Sequence, residues 1–378
     1  MRTVERNQAI DFWRGFVLVT IFVNHIPGNI LEHLTYRNVG FSDGAEAFVF
    51  IAGLSIALVY YPRLPSGDVF GVVWRCLKRA ATLYRVHILL TFSAIAVFAV
   101  GNVISELADL IEADGRNSVF NDTARGITGV FLLGHQLGYF NILPLYVVLL
   151  LWAPVALLLV SFNAGLALAV SVAIYVASRY GLAFPSWPEP GTWFFNPFSW
   201  QLIFTLGILS GVACRGRSVP FSPLAMAASI GILAFGLIAV TNGFGLRPGL
   251  WDSARGVLDV DKSNLGLVRM LHFLALAYVL SQIPLGSALA GSIVGQEVQR
   301  LGRNALPVFA VGSFLSAVGQ VTMTLSEVRY SASPPLIGMV FTVFGVVGLF
   351  LLARYLEWSR GGSAQQPRAL RSSRLVSS

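Results

Sequence analysis

Apolar residues fall in long unbroken runs along this chain, separated by short polar stretches. Ten such runs stand near residues 10–27, 43–61, 81–104, 141–160, 164–182, 199–214, 222–241, 263–283, 304–325 and 336–357. Each approaches the ~20 residues a helix needs to cross ~30 Å of hydrocarbon. They are rich in Leu, Val, Ala and Phe. A β-barrel would instead alternate apolar and polar positions in segments of ~10 residues. The pattern predicts an all-α membrane protein, a polytopic bundle of about ten transmembrane helices. The first run carries Asp11 and Arg14 at its start, with no small-x-small site after it. It is therefore expected to stay as the first helix rather than act as a cleaved signal. No internal repeat is evident.

Composition agrees. Of 378 residues, 55% are hydrophobic and 12% charged, against about 25% charged in soluble proteins. Mean hydropathy is +0.71. The 37 glycines suit closely packed membrane helices. Cys76 and Cys214 fall at predicted helix ends and read as packing residues. The histidines lack the spacing with carboxylates or cysteines that a zinc site shows, so no metal is expected.

Charge sets an orientation. With ten crossings, 17 of the 26 Lys and Arg and 5 of the 18 Asp and Glu lie on the side of the termini. The other side holds 9 and 13, so the two faces carry +12 and −4. The basic excess predicts both termini in the cytoplasm. The pI near 9.8 then reflects orientation, and no nucleic-acid partner is implied. The inner basic segments are Arg63 to Arg79, Arg215 with Arg217, Arg300 with Arg303, and the tail from Arg354. Residues 1–360 are expected to form one transmembrane domain, and 361–378 a disordered cytoplasmic tail near anionic headgroups. The outer loop 105–140 opens with Glu106, Asp109, Glu112 and Asp114. Its apolar second half, from Ile127 to Phe140, is expected to be re-entrant or interfacial. A second outer loop, 242–262, holds Asp252, Asp259 and Asp261.

The first helix carries candidate chemistry. At about 100° per residue, Arg14 to His25 is about 20° past three turns, and Asp11 to His25 about 40° short of four. Asp11, Arg14 and His25 thus share a face, and Arg14 and His25 stand about 16 Å apart along it. Polar groups in hydrocarbon are costly and point to function. The plainer alternative makes Asp11 and Arg14 interfacial anchors and His25 an interhelical hydrogen-bonding group. Asp43 and Glu46, at the outer start of the second helix after Ser42, stand at the level of His25. Either carboxylate is placed to fix a histidine tautomer and support a general base. Both also suit helix capping. Arg269 and His272 in the eighth helix, and Trp200 and Gln201 opening the sixth, complete the layer. Arg75, Lys78 and Arg79, then Arg85 and His87, form an inner basic layer able to clamp phosphate, or simply obeying the positive-inside rule. His33 and His135 sit in outer loops with no assigned role.

The start Ile10-Asp11-x-x-Arg14-Gly15, with ten residues between Arg14 and His25, resembles the first helix of acyltransferase-3-type membrane acyltransferases. Within them the chain resembles the OpgC family of osmoregulated periplasmic glucan succinyltransferases. The matching stretches are Asp11–Gly15, Phe22–Gly28, Phe41–Gly53, Leu143–Tyr146, Phe195–Gln201, Arg269–Ala275 and Leu301–Asn304. They span almost the whole chain. The resemblance implies a bacterial inner-membrane O-acyltransferase. Its co-substrate is a cytoplasmic acyl-CoA, succinyl-CoA above all, its acceptor a periplasmic glucan, its surroundings membrane lipids, and no cofactor is tightly bound. It makes His25 catalytic and links Arg14 and the basic residues before helix three to the donor. That cluster reads Arg75-Cys76-Leu77-Lys78-Arg79, a departure from the two-arginine acyltransferase-3 pattern.

The expected mechanism puts the nucleotide near Arg14, Arg75, Lys78 and Arg79, and the pantetheine arm across the ~16 Å to His25. His25 deprotonates a glucan hydroxyl, held by Asp43 or Glu46. Arg269 with His272 binds the free succinyl carboxylate or the oxyanion, and Trp200 and Gln201 contact substrate. A ping-pong route through acyl-His25 stays open. The alternatives are a glycan or lipid-linked sugar transporter, though no paired halves with matched broken helices appear, and a non-catalytic scaffold.

Overall fold

A computed structural model describes residues 8–107, 109–215, 218–283, 289, 291–330 and 334–364. The first helices are α1 (Gln8–Asn24), α2 (Gly44–Tyr60) and α3 (Val69–Ser105). Three short helices follow in the outer loop: α4 (Asp109–Glu112), α5 (Asn117–Asn121) and α6 (Thr123–Phe131). Then come α7 (Ile142–Phe162), α8 (Ala164–Arg179), α9 (Pro197–Ala213), α10 (Pro223–Val240), α11 (Leu250–Val257) and α12 (Leu267–Gln282). The described chain closes with α13 (Ile293–Arg303), α14 (Ala305–Tyr330) and α15 (Pro334–Ala364). Among the described residues no strand forms beyond an isolated bridge between Pro185 and Thr192.

Each of the ten apolar runs coincides with a helix. Among the described residues, six helical segments are long and apolar enough to cross a membrane: Gly44–Arg63, Val69–Ser105, Gly138–Phe162, Pro223–Val240, Ala305–Glu327 and Pro335–Arg360. The chain is thus a helical membrane protein. The other four runs form α1, α8, α9 and α12, of 16 or 17 residues each. At 1.5 Å per residue these reach about 24–26 Å, short of the ~30 Å core.

Three boundaries differ from expectation. α3 begins at Val69, not near 81, and takes Arg75, Lys78 and Arg79 into its first turns. Its 37 residues make a rod of about 56 Å, well beyond the hydrocarbon thickness. α13 is an amphipathic helix where the sequence predicts only a basic segment. It is tied to α15 by Arg303–Glu357 (2.6 Å) and Glu297–Arg354 (2.9 Å). α15 runs on to Ala364, so 361–364 are helical rather than tail. Residues 365–378 and Arg217 lie outside the described residues.

Glycine lets the central helices touch backbone to backbone. A Cβ on Gly53 would land on the Phe204 carbonyl, and one on Gly207 on the Phe50 carbonyl. α2 and α9 therefore cross at two bare positions, the small-residue contact membrane helices favour. α1 meets α13 likewise: Gly15 faces the Val298 carbonyl and Gly302 the Asp11 carbonyl. These contacts fix α1, and hence His25, against the rest of the bundle.

Candidate active site

α1 ends at Asn24, and His25 follows in the turn, its N–H still bonded to the Ile21 carbonyl (3.1 Å). Two outer elements hold that turn. Thr35 donates its hydroxyl to the Asn24 side chain (2.8 Å), and Gln320 of α14 donates to the His25 carbonyl (3.3 Å). The His25 ring lies against Tyr139, with centroids 4.6 Å apart. Tyr139 comes from a single 3-10 turn, Gly138–Phe140, in the apolar half of the outer loop. His25 also borders a narrow crevice between α1, α14 and α15, with room for little more than a water molecule. Leu18, Phe22, Phe309 and Leu349 make its walls mostly apolar, and Gly312, Ser313 and Ser316 line the α14 side.

The carboxylates expected to hold His25 are engaged elsewhere. Asp43 caps α2 by accepting from the Ala45 N–H (2.9 Å), and Glu46 accepts from the Asp43 N–H (2.8 Å). This reciprocal box satisfies donors that a helix start leaves open. Asp43 also pairs with Lys262 (2.6 Å) and Arg269 (2.8 Å), and Glu46, with no exposed surface, pairs with Arg269. Among the described residues no carboxylate hydrogen-bonds the His25 ring. Asp43, Lys262 and Arg37 act on it only through space.

Arg269 thus already faces two carboxylates. The His272 Nδ1 meets the Ser42 hydroxyl (2.9 Å), and its ring fills the space left by Gly40 and Gly236. Trp200 is wholly buried and donates its indole N–H to the Lys262 and Ser263 carbonyls (3.2 Å each). Gln201 joins α9 to α8 by donating to the Ser171 carbonyl (2.8 Å) and accepting from the Ser171 hydroxyl (2.5 Å). The sequence predicts substrate contacts in this layer, and the structure brings its residues together with most of their polar groups paired. The His272 Nε2 is an exception, buried without a hydrogen-bond partner.

At the other end of α1, Arg14 binds Asp11 (3.1 Å), the Ser55 hydroxyl of α2 (2.5 Å) and the Gly302 carbonyl of α13 (3.3 Å). It clamps three helices together, so most of its fork is taken. Arg75 pairs with Asp68 (2.8 Å) at the start of α3, and the neighbouring arginines hold that carboxyl below the usual range. Lys78 and Arg79 are exposed on the next turn, and among the described residues neither forms an ion pair. Lys78 lies over the Trp74 ring at 5.1 Å. These two, rather than all four expected residues, offer uncommitted positive charge. His87 is buried inside α3 and neither ring nitrogen has a partner.

A family model described as OpgC protein matches residues 6–361. The chain belongs to the OpgC family. No curated protein matches it. Membership supports a role in glucan modification and a transferase rather than a transporter. In this OpgC chain sequence reasoning missed Tyr139 and Lys262. Nothing local marks them, since each comes from a loop that only the tertiary fold brings beside α1 and α2. Ser55 and Gly302, the partners of Arg14, were equally hidden. Their signal was weak: a hydroxyl in the apolar second helix, and a glycine just before Arg303.

Proposed function

We propose that this OpgC protein is an integral membrane O-acyltransferase of the bacterial inner membrane. It moves an acyl group, succinyl by the family resemblance, from cytoplasmic acyl-CoA to hydroxyls of a periplasmic glucan. The ten long apolar or shorter buried helices all cross the bilayer, with both termini inside. The observation that carries the reading is the position of His25 on the wall of a narrow apolar crevice, about 16 Å along the first helix from the level of Arg14. The basic inner end of α3 supplies Lys78 and Arg79 for the donor phosphates.

In this reaction the His25 imidazole takes the proton of a glucan hydroxyl as that oxygen attacks the thioester carbonyl. The tetrahedral intermediate collapses, the C–S bond breaks, and the CoA thiolate leaves with the proton from the imidazolium. The acceptor oxygen keeps the acyl group as an ester. Tyr139 covers one side of the ring and limits its rotation. Asp43 acts on the imidazolium only through space, and Lys262 and Arg37 oppose it.

The test is to incubate purified protein with succinyl-CoA or acetyl-CoA and candidate glucans and to weigh the sugars by mass spectrometry. Wild type adds one acyl mass per modified hydroxyl. His25→Ala gives none while remaining folded in the membrane fraction. Near-normal turnover by that variant removes His25 from the mechanism.

A further inference from the structure

Three side chains of α3 and α7 bury polar atoms without a partner: His87, Thr91 and Tyr146. An unpaired buried polar group costs roughly 1–3 kcal/mol, so each asks for a use. Tyr146 has the surroundings to supply one. Its hydroxyl lies within electrostatic reach of Arg14 on α1 and Arg79 on α3. Arg14 is held rigidly by Ser55 and Gly302, while Arg79 stands on the exposed inner part of α3. On its other side Tyr146 packs against Phe48 of α2, centroids 5.1 Å apart. Phe48 stacks on Phe309 at 5.9 Å and 20°, and Phe309 lines the crevice beside His25. The unpaired hydroxyl thus stands within electrostatic reach of two cations on one side and joins, through two aromatic contacts, the wall of the crevice that His25 borders.

We propose that Tyr146 is a donor-binding residue whose hydroxyl donates a hydrogen bond to an amide carbonyl of the pantetheine arm. This rests on the acyl-CoA reading and adds to it the path the donor takes. The arm alternates amide groups with methylene segments. A phenol followed by Phe48 and Phe309 matches that alternation, a polar stop and then an apolar slide. The cations beside the hydroxyl mark where the phosphates end and the arm begins.

The experiment uses full-length Tyr146→Phe in nanodiscs. Without donor, its melting temperature should equal or exceed that of wild type, because the substitution deletes only an unpaired buried hydroxyl. With acyl-CoA, KM should rise about tenfold, the equivalent of ~1.4 kcal/mol, with kcat little changed. S-acylpantetheine, which lacks the nucleotide, should show the same loss between wild type and variant, read as turnover or as competition against acyl-CoA. An unchanged KM overturns the proposal. So does a loss seen with acyl-CoA but not with S-acylpantetheine, which would place the hydroxyl on the phosphates. A lowered melting temperature with kcat and KM both impaired would make Tyr146 structural. If wild type itself neither binds nor turns over any acyl-CoA, the acyltransferase reading falls first and takes this proposal with it.

Discussion

Replacing Arg269 by Met separates architecture from substrate recognition in the outer charge cluster. In wild type, Arg269 faces both Glu46 and Asp43. After the change Asp43 keeps Lys262 at 2.6 Å, but Glu46, with no exposed surface, loses its cation. Removing one member of a buried pair costs about 3–5 kcal/mol, because the remaining charge is left without compensation. The double variant Arg269→Met with Glu46→Gln removes both charges. The amide oxygen introduced by the second change can still accept from the Asp43 N–H, so the cap survives. That change should therefore restore about 2 kcal/mol or more of the loss. Coupling of this size is well above the ~0.5 kcal/mol expected of independent sites. Denaturant titration of the purified single and double variants measures it. Suppose instead that Arg269→Met is as stable as wild type but fails only with acyl donors bearing a free carboxylate. Then the guanidinium serves the substrate, and its assignment to the fold is wrong.

Packing and burial set further expectations. Gly207→Leu should separate α2 from α9 and destabilise by about 3 kcal/mol or more, since the incoming side chain meets backbone. Gly231→Ala, on the open face of α10 with nothing near the new Cβ, should be neutral or gain about 0.4–1 kcal/mol in the same titration. His135 sits buried in the outer loop, and burial pushes its imidazole below the ordinary value, against opposing pulls from the Gly115 carbonyl and Glu189. The unfolded chain then binds the proton more readily than the folded one. The stabilisation is complete above the ordinary histidine value of about 6.5 and is lost progressively as pH falls from there through the lowered value of the folded state. Hydrogen-exchange protection over residues 114–137, corrected for the intrinsic pH dependence of exchange, should fall below that pH in wild type. The same profile should be flat in His135→Gln, and an equally steep one there would exclude His135 as the cause.

The apolar runs made the helices legible, because a membrane helix must satisfy its backbone internally and keep an apolar exterior. Hydropathy failed where a helix leaves the lipid. Val69 to Ala80 carries Arg75, Lys78 and Arg79, which reads as loop, yet a backbone outside hydrocarbon needs no apolar surface to stay helical. α13 was missed for the same reason. The level of His25, Asp43, Glu46 and Arg269 along the bundle could be read from helix direction and rise. Their partners could not. Which residue Arg269 faces depends on the rotation of α12 about its axis, and Lys262 enters from a loop whose path no periodicity records. The capping that the sequence offered for Asp43 and Glu46 is present at the start of α2. Arg14, given a donor role by resemblance, spends its guanidinium on three helices.

The outer cluster is electrically neutral as a unit. Lys262 and Arg269 are matched by Asp43 and Glu46, so as ion pairs the four contribute no net charge. A lone charge carried across the whole bilayer would exchange about 2.3 kcal/mol with the electric field per 100 mV. A balanced quartet exchanges almost none when its helices shift together. This charge cluster is thereby insulated from the membrane voltage, and the helices it ties together are braced alike in energised and de-energised cells.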